Sequence, residues 1–145
     1  MTDHNLLEAK SCSEEDFEQV KRYIRKFDLD DRALQIGQFL TLHGDNGLIG
    51  FGRIREYPTL SELCSLGIVE NERRKGFGRM MSEFLVRKAK KDLYLCCIHA
   101  SFFEPLGFRV CTDFPKEMQD KLDYCTDSLH VDDEYIIMKF DKDSL

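Results

Sequence analysis

The chain predicts an α/β (α+β) fold built on a mixed sheet flanked by helices. Three observations carry that prediction. Apolar residues switch repeatedly between alternating and helical spacing. The turn formers Gly44, Asp45, Asn46 and Gly47 separate two strand-like runs. DLYLCCI, residues 92–98, is a nearly continuous apolar run of the kind a central strand carries.

In chain order, LLEAKSC over residues 6–12 reads as a first strand. Ser13 before EEDF reads as a helix start with acidic residues in the first turn, and Phe17, Val20, Tyr23, Ile24 and Phe27 give that helix one buried face. Residues 37–57 read as a hairpin about the Gly44–Gly47 turn. TLSELCSLGIV, residues 59–69, reads as a further strand. After ENERRKGFG, the residues Phe77, Met80, Met81, Phe84 and Leu85 form an apolar helical stripe, and Arg87, Lys88, Lys90 and Lys91 enrich its end in positive charge. The strand at 92–98 follows, then a break at Pro105 and Gly107, a short helical piece PKEMQDKLDYC and a last strand EYIIMKF. This order of elements implies a mixed sheet.

The 145 residues, without repeats or linkers, are read as one domain over residues 1–145. A net charge of -6 argues against a general nucleic-acid binder and leaves room for a local anion site. No apolar stretch approaches membrane-spanning length, so no membrane partner is expected, and MTDHNLLEAK lacks the features of a signal peptide. None of the cysteines at 12, 64, 96, 97, 111 and 125 forms a C-x-x-C pair. The expectation is a cytoplasmic protein with reduced thiols. Adjacent Cys96 and Cys97 with His99 make a poor chelate, and no metal is expected.

The densest cationic stretch, Arg73, Arg74 and Lys75, abuts Gly76 and Gly78 just where a strand gives way to a helix. The first N–H groups of a helix lack internal partners and sit at the positive end of its dipole, so such a turn is an anion site, most naturally for phosphate. A plain solvated basic turn is the alternative. A dinucleotide fingerprint fits poorly because Arg79, Met80 and Met81 follow Gly78, and there is no Gly-Lys-Ser/Thr for a Walker A loop.

The longer stretch LGIVENERRKGFGRMM resembles the acetyl-CoA signature of the GNAT superfamily of N-acetyltransferases, with Ile68 as strand end, Arg73 at the Arg/Gln position, and Gly76 and Gly78 as the glycines. SFFEPLGFRV is similar to the family's FYEKLGF segment after the fifth strand. The resemblance implies a mostly antiparallel central sheet with strands four and five splayed apart. It implies acetyl-CoA, with the pyrophosphate on the N–H groups of residues 74–79, among them Phe77 and Arg79, and the pantetheine along Leu66, Gly67 and Ile68. The thioester would then lie in the gap between strands 59–69 and 92–98. The resemblance also implies an oxyanion donor in the backbone N–H near Ile68 and, since dimers are common in the superfamily, a homodimer.

Acetyl transfer to an amine needs a base, an oxyanion donor and an acid for the thiolate. Alternation along 59–69 puts Leu60, Glu62, Cys64, Leu66 and Ile68 on one face. A carboxylate there is desolvated, which makes Glu62 the candidate base, and its spacing from Ile68 resembles that of the catalytic glutamate in the superfamily's histone acetyltransferases. A structural glutamate paired with a lysine is the other reading. His99, sharing a face with Leu93, Leu95 and Cys97, is either a second catalytic candidate or structural. Phe103 stands where many relatives carry tyrosine, so the family's acid is missing, with His99, Ser101, Tyr57 or water as substitutes. Cys97 as an acyl carrier has nothing visible to activate it.

The expected function is acetyl transfer by direct attack of a small-molecule primary amine on the thioester. SELCSLGIV bears a weak likeness to amino-acid acetyltransferases such as N-acetylglutamate synthase domains, and the acidic balance would also attract basic histone-type tails. Two other readings stand beside it: a non-catalytic acyl-CoA-binding regulatory module, and a protein-binding domain that uses the acidic surface.

Overall fold

Ser13 opens the first helix as its side chain requires. The Oγ accepts a hydrogen bond from Asp16 N at 3.1 Å and caps α1, Glu14–Lys26. The structure, a computed structural model, describes residues 7–129 and 133–144. Of the strand expected over 6–12, residue 6 lies outside the described residues. Only Lys10–Ser11 pairs as β1, an exposed two-residue edge against Leu40 and Thr41, because the chain turns at once into the Ser13 cap.

Strands β2, Phe39–Gly44, and β3, Gly47–Glu56, form the expected hairpin around Asp45 and Asn46. They are followed by β4, Ser61–Ile68, and, after a 3₁₀ turn at Glu70–Glu72, by α2, Phe77–Lys88. Next come β5, Leu93–Cys97, the short α3, Ala100–Phe103, and a strand the sequence reading missed, β6, Phe108–Val110. Three residues are too few for an alternating pattern to register. The helix expected from PKEMQDKLDYC is longer than expected, as α4, Lys116–Ser128, and β7, Ile136–Phe140, closes the sheet.

The strand order is β1-β2-β3-β4-β5-β7-β6, antiparallel throughout except for β4 and β5. On one face, α2 buries Phe77, Met81 and Leu85 against Ile54, Leu63 and Leu95. Each such fully buried side chain contributes about 1.5–3 kcal/mol. On the other face, α1 packs Val20 and Ile24 on Phe39 and Phe51, and α4 packs Met118 on Leu60 and Ile137.

One irregularity in β4 matters for everything that follows. The pairing with β3 runs Arg53↔Cys64 but Phe51↔Gly67, so Ser65 and Leu66 together oppose Gly52. Ser65 sits at φ 54, and the extra residue makes a β-bulge. The buried Arg53 holds it: Nε donates to Ser65 Oγ at 2.9 Å, and Ser65 Oγ donates to the Asp30 carbonyl at 2.7 Å. The bulge overturns the expected single face. Glu62 and Cys64 turn toward α4 and the loop after α1, whereas Leu66 and Ile68 join the α2 side of the core.

Candidate active site

Strands β4 and β5 are hydrogen-bonded neighbours only at Ser61↔Leu93 and Glu62↔Tyr94. Beyond that they part, and among the described residues the β4 edge from residue 63 onward has no strand partner on that side. A cavity of about 700 Å³ opens where they separate. One wall is Leu63, Cys64, Ser65 and Leu66 of β4, the facing wall runs from Leu95 to His99, and Phe102 and Phe103 stand at one end. Lys121, Cys125, Leu129 and Tyr135 form the far side, and the loop at 27–30 completes the lining.

The glycine turn lies beside this opening. Gly76 has φ 87 and caps α2 in the left-handed region, which an L side chain adopts only at a cost. A Cβ on Gly76 would meet open space. Gly78 is small for a different reason: a Cβ there would lie 3.2 Å from the ring of Phe102 and 3.9 Å from Ile68. The close neighbour at Gly78 is the chain's own aromatic, which links the turn to the end of β4 and to α3. A Cβ on Gly67 would in turn strike the Phe51 ring.

The cations of the turn are not alike. Arg73 folds back, with Nε donating to the Ile68 carbonyl at 2.9 Å and the guanidinium 4.6 Å above the ring of Phe27. Arg74 (φ 66) is exposed. Lys75 pairs with Glu72 at 3.4 Å and Arg79 with Glu83 at 3.4 Å. Exposed pairs of this kind are worth about 0–1 kcal/mol, so both side chains can be redirected to an arriving anion.

Glu62 is fully buried and does not line the cavity. Its Oε1 accepts from Tyr57 Oη at 3.1 Å, and its Oε2 lies 2.8 Å from Lys121 Nζ, an ion pair outside hydrogen-bonding alignment. Lys121 also reaches Asp30 Oδ2 at 2.6 Å. Asp30, Glu62 and Cys64 bring three donor atoms within 4.8 Å of one another, and the Lys121 ammonium lies against both carboxylates. Burial opposes charge on Lys121, but Cys64, Glu62 and Asp30 outweigh it and hold the ammonium above its ordinary range. Burial likewise opposes charge on Asp30, and the Arg32 hydrogen bonds and Lys121 overcome it, keeping the carboxyl well below the usual range.

His99 lies beyond the end of β5 rather than on it: it is the exposed N-cap of α3 at the cavity rim. Phe103 is buried at the same end, edge-on to Phe102 and Phe108. Tyr57 is pushed up to about 12, mainly by burial and by Glu62, and stands away from the cavity. Burial pushes the Cys97 thiol up to about 11, so no thiolate nucleophile forms there at neutral pH. Sequence reasoning missed Asp30, Lys121, Cys125 and Tyr135. One signal was available: Lys121 interrupts the apolar spacing of Met118, Leu122 and Cys125, and a lysine on a buried stripe calls for a partner.

A model of the acetyltransferase (GNAT) family matches residues 4–108. No curated protein matches the chain. Among solved structures, N-acetylglutamate synthase from Neisseria gonorrhoeae, complexed with coenzyme A and N-acetyl-glutamate, superposes on 97% of this chain and 36% of its own, with TM-score 0.74 and 13% identity. Rv2747 from Mycobacterium tuberculosis, in complex with CoA and NLQ, superposes on 92% of this chain and 98% of its own (TM-score 0.75, 13% identity). Arabidopsis thaliana Naa50, with the bisubstrate analogue CoA-Ac-MVNAL, superposes on 93% and 98% (TM-score 0.66, 12% identity). The chain spans about a third of the N-acetylglutamate synthase chain, and at these identities the likeness is one of fold. Among the described residues no helix is long and apolar enough to cross a membrane.

Proposed function

The chain belongs to the acetyltransferase (GNAT) family, and we propose that it moves the acetyl group of acetyl-CoA to a small primary amine by direct attack on the thioester. The observation that carries this reading is the parting of β4 from β5 over a cavity that adjoins the N-terminus of α2. The residues present fit the cofactor. The turn at 74–79 offers helix N-terminal N–H groups, open space over Gly76 and redirectable cations for a pyrophosphate. The unpartnered edge of β4 at Leu66, Gly67 and Ile68 offers main-chain groups for an extended pantetheine arm. Arg73, folded onto Ile68, braces the joint between the two.

When bound, acetyl-CoA supplies an activated acetyl group: a C–N bond forms, the C–S bond breaks and the sulfur leaves as thiolate. The chain's own groups handle position and protons. Backbone N–H near Ile68 faces the developing oxyanion. The amine enters from the side of Leu29 and Tyr135, and its proton passes through water to His99 at the rim. Glu62, closed off by Lys121 and Tyr57, serves this chemistry by holding Lys121 and the joined end of β4 in place. Phe103 has no proton to give the thiolate. Tyr135 lines the cavity and keeps its proton, since burial first, and then Cys125 and Cys96, push it up to about 12. It is our candidate acid.

The mostly apolar lining favours an acceptor with an apolar body. The likeness to N-acetylglutamate synthase makes amino acids the first acceptors to try, with polyamines and free peptide N-termini beside them. The test is calorimetry with coenzyme A, followed by thiol release from acetyl-CoA across that panel, with products identified by mass. Coenzyme A binding without turnover on any amine would favour the binding-module reading, to which Phe103 points. Absence of coenzyme A binding would end both.

A further inference from the structure

Four of the six cysteines, Cys64, Cys96, Cys97 and Cys125, line one cavity. Two of them are accounted for by packing: burial pushes Cys64 and Cys97 up to about 11, and Cys97 Sγ rests 3.7 Å from Met138 Sδ. Cys96 and Cys125 are different. Alternation on β5 turns Cys96 away from the α2 side, where Leu95 and Cys97 pack, and toward α4 with Tyr94, Met118 and Leu122. Cys125 is the buried residue one helical turn after Lys121 on the face of α4 that meets β5. In the cavity lining each of the two thiols acts on the other's proton, and the Lys121 ammonium stands close enough to act on Cys125.

We propose that Cys96 and Cys125 are a modification site, a thiol pair that hydrogen peroxide entering the cavity converts to a disulfide tying α4 to β5. The chemistry balances with that oxidant alone. The Cys125 thiolate attacks one peroxide oxygen, the O–O bond breaks, and hydroxide leaves and takes a proton to become water. The sulfenic acid so formed is attacked by the Cys96 sulfur, and the second hydroxide leaves as water with the Cys96 proton. Two sulfurs lose two electrons and the peroxide gains them. The neighbouring Cys96 first, and then Lys121, draw Cys125 below the ordinary thiol range, while Cys125 and burial hold Cys96 above it. Cys125 is therefore the attacking sulfur and Cys96 the resolving one.

The location gives the bond a consequence. Lys121, Cys125, Leu129 and Tyr135 form the side of the cavity remote from the glycine turn. On the reading under Proposed function this is the acceptor side, so the cross-link fixes the wall that would meet the amine and leaves the coenzyme A turn untouched.

The test treats the purified protein with hydrogen peroxide, alkylates the remaining thiols and maps peptides without reduction. The expected result is loss of two hydrogens, one Cys96–Cys125 cross-linked peptide, reversal by dithiothreitol, and a melting temperature a few degrees higher in the oxidised form. Cys96→Ser and Cys125→Ser should each abolish the cross-link, and Cys97→Ser should not. Sulfinic acid on a single cysteine, a bond to Cys64 or Cys97, or no change at all would overturn the proposal. Coenzyme A affinity should agree within about threefold between reduced and oxidised protein. Binding absent from both forms would sink the acetyltransferase reading while leaving the thiol pair to stand or fall on the peptide map.

Discussion

The two sides of the cavity are built on opposite plans. The cofactor side is local: Ile68, Arg73, Gly76 and Gly78 lie within eleven consecutive residues, are exposed or half-buried, and derive their shape from backbone conformation. The far side is assembled at long range. Asp30 and Lys121, separated by 91 positions, meet at 2.6 Å, and Glu62 and Arg53 from two strands complete a buried polyionic cluster. A site made from backbone tolerates change in its side chains. A site made from buried charges does not, because each ion left without its partner retains the full cost of its desolvation.

That contrast is open to direct attack. The largest effect belongs to Lys121→Met, which strands Asp30 and Glu62 and should cost about 3–5 kcal/mol of stability by urea unfolding. A smaller loss would mean that Arg32, Arg53 and water suffice. Gly76→Asp should cost about 1–2 kcal/mol of stability, because a side chain at φ 87 is strained, and weaken coenzyme A by about 100-fold, near 2.7 kcal/mol, in calorimetry. Unchanged affinity would remove the turn from the cofactor site. Glu62→Gln should destabilise by about 1–3 kcal/mol with coenzyme A affinity intact. A rate loss beyond about 100-fold that shrinks at high pH would instead return Glu62 to the proton path.

Acid should act mainly on the far side. Asp30 titrates lower in the folded than in the unfolded chain, so its contribution is complete above the unfolded value of about 4 and drains away as pH falls toward the folded value. Asp30→Asn should flatten the pH dependence of stability below about pH 4. The smallest effect is expected for Phe103→Tyr. The ring is retained, so stability should shift by less than about 1.5 kcal/mol, and turnover should hold or improve if the hydroxyl reaches the sulfur.

The same contrast explains what could be read from the sequence. The hairpin, the Ser13 cap, α2 and the glycine turn each announce themselves within a dozen residues, so their positions followed from spacing alone. Glu62 was visible as a carboxylate among apolar neighbours, but its partner on α4 depends on how the chain returns, which spacing does not encode. His99 was placed on a strand face because its parity matched Leu95 and Cys97, whereas β5 ends at Cys97 and the chain turns into α3. The facing of Leu66 and Ile68 was misjudged because nothing local distinguishes Ser65 from its neighbours. The left-handed φ there is enforced by Arg53 and the Asp30 carbonyl, twelve and thirty-five positions away.

The bulge at Ser65 makes β4 a strand whose two halves have opposite parity. Odd and even positions exchange their roles midway, so Glu62 serves one layer of the molecule and Ile68 the other without any break in the strand. Such a strand depends more on what anchors its extra residue than on that residue being present. Removing Ser65 would restore strict alternation with Leu66 and Ile68 still toward α2 and Gly67 still against Phe51. Straightening the bulge with Ser65 retained, as loss of Arg53 would allow, would instead turn Leu66 and Ile68 into the aromatic layer beneath α1 and present Gly67 to α2. For this segment, the anchor of the bulge is a tighter constraint on the sequence than its length.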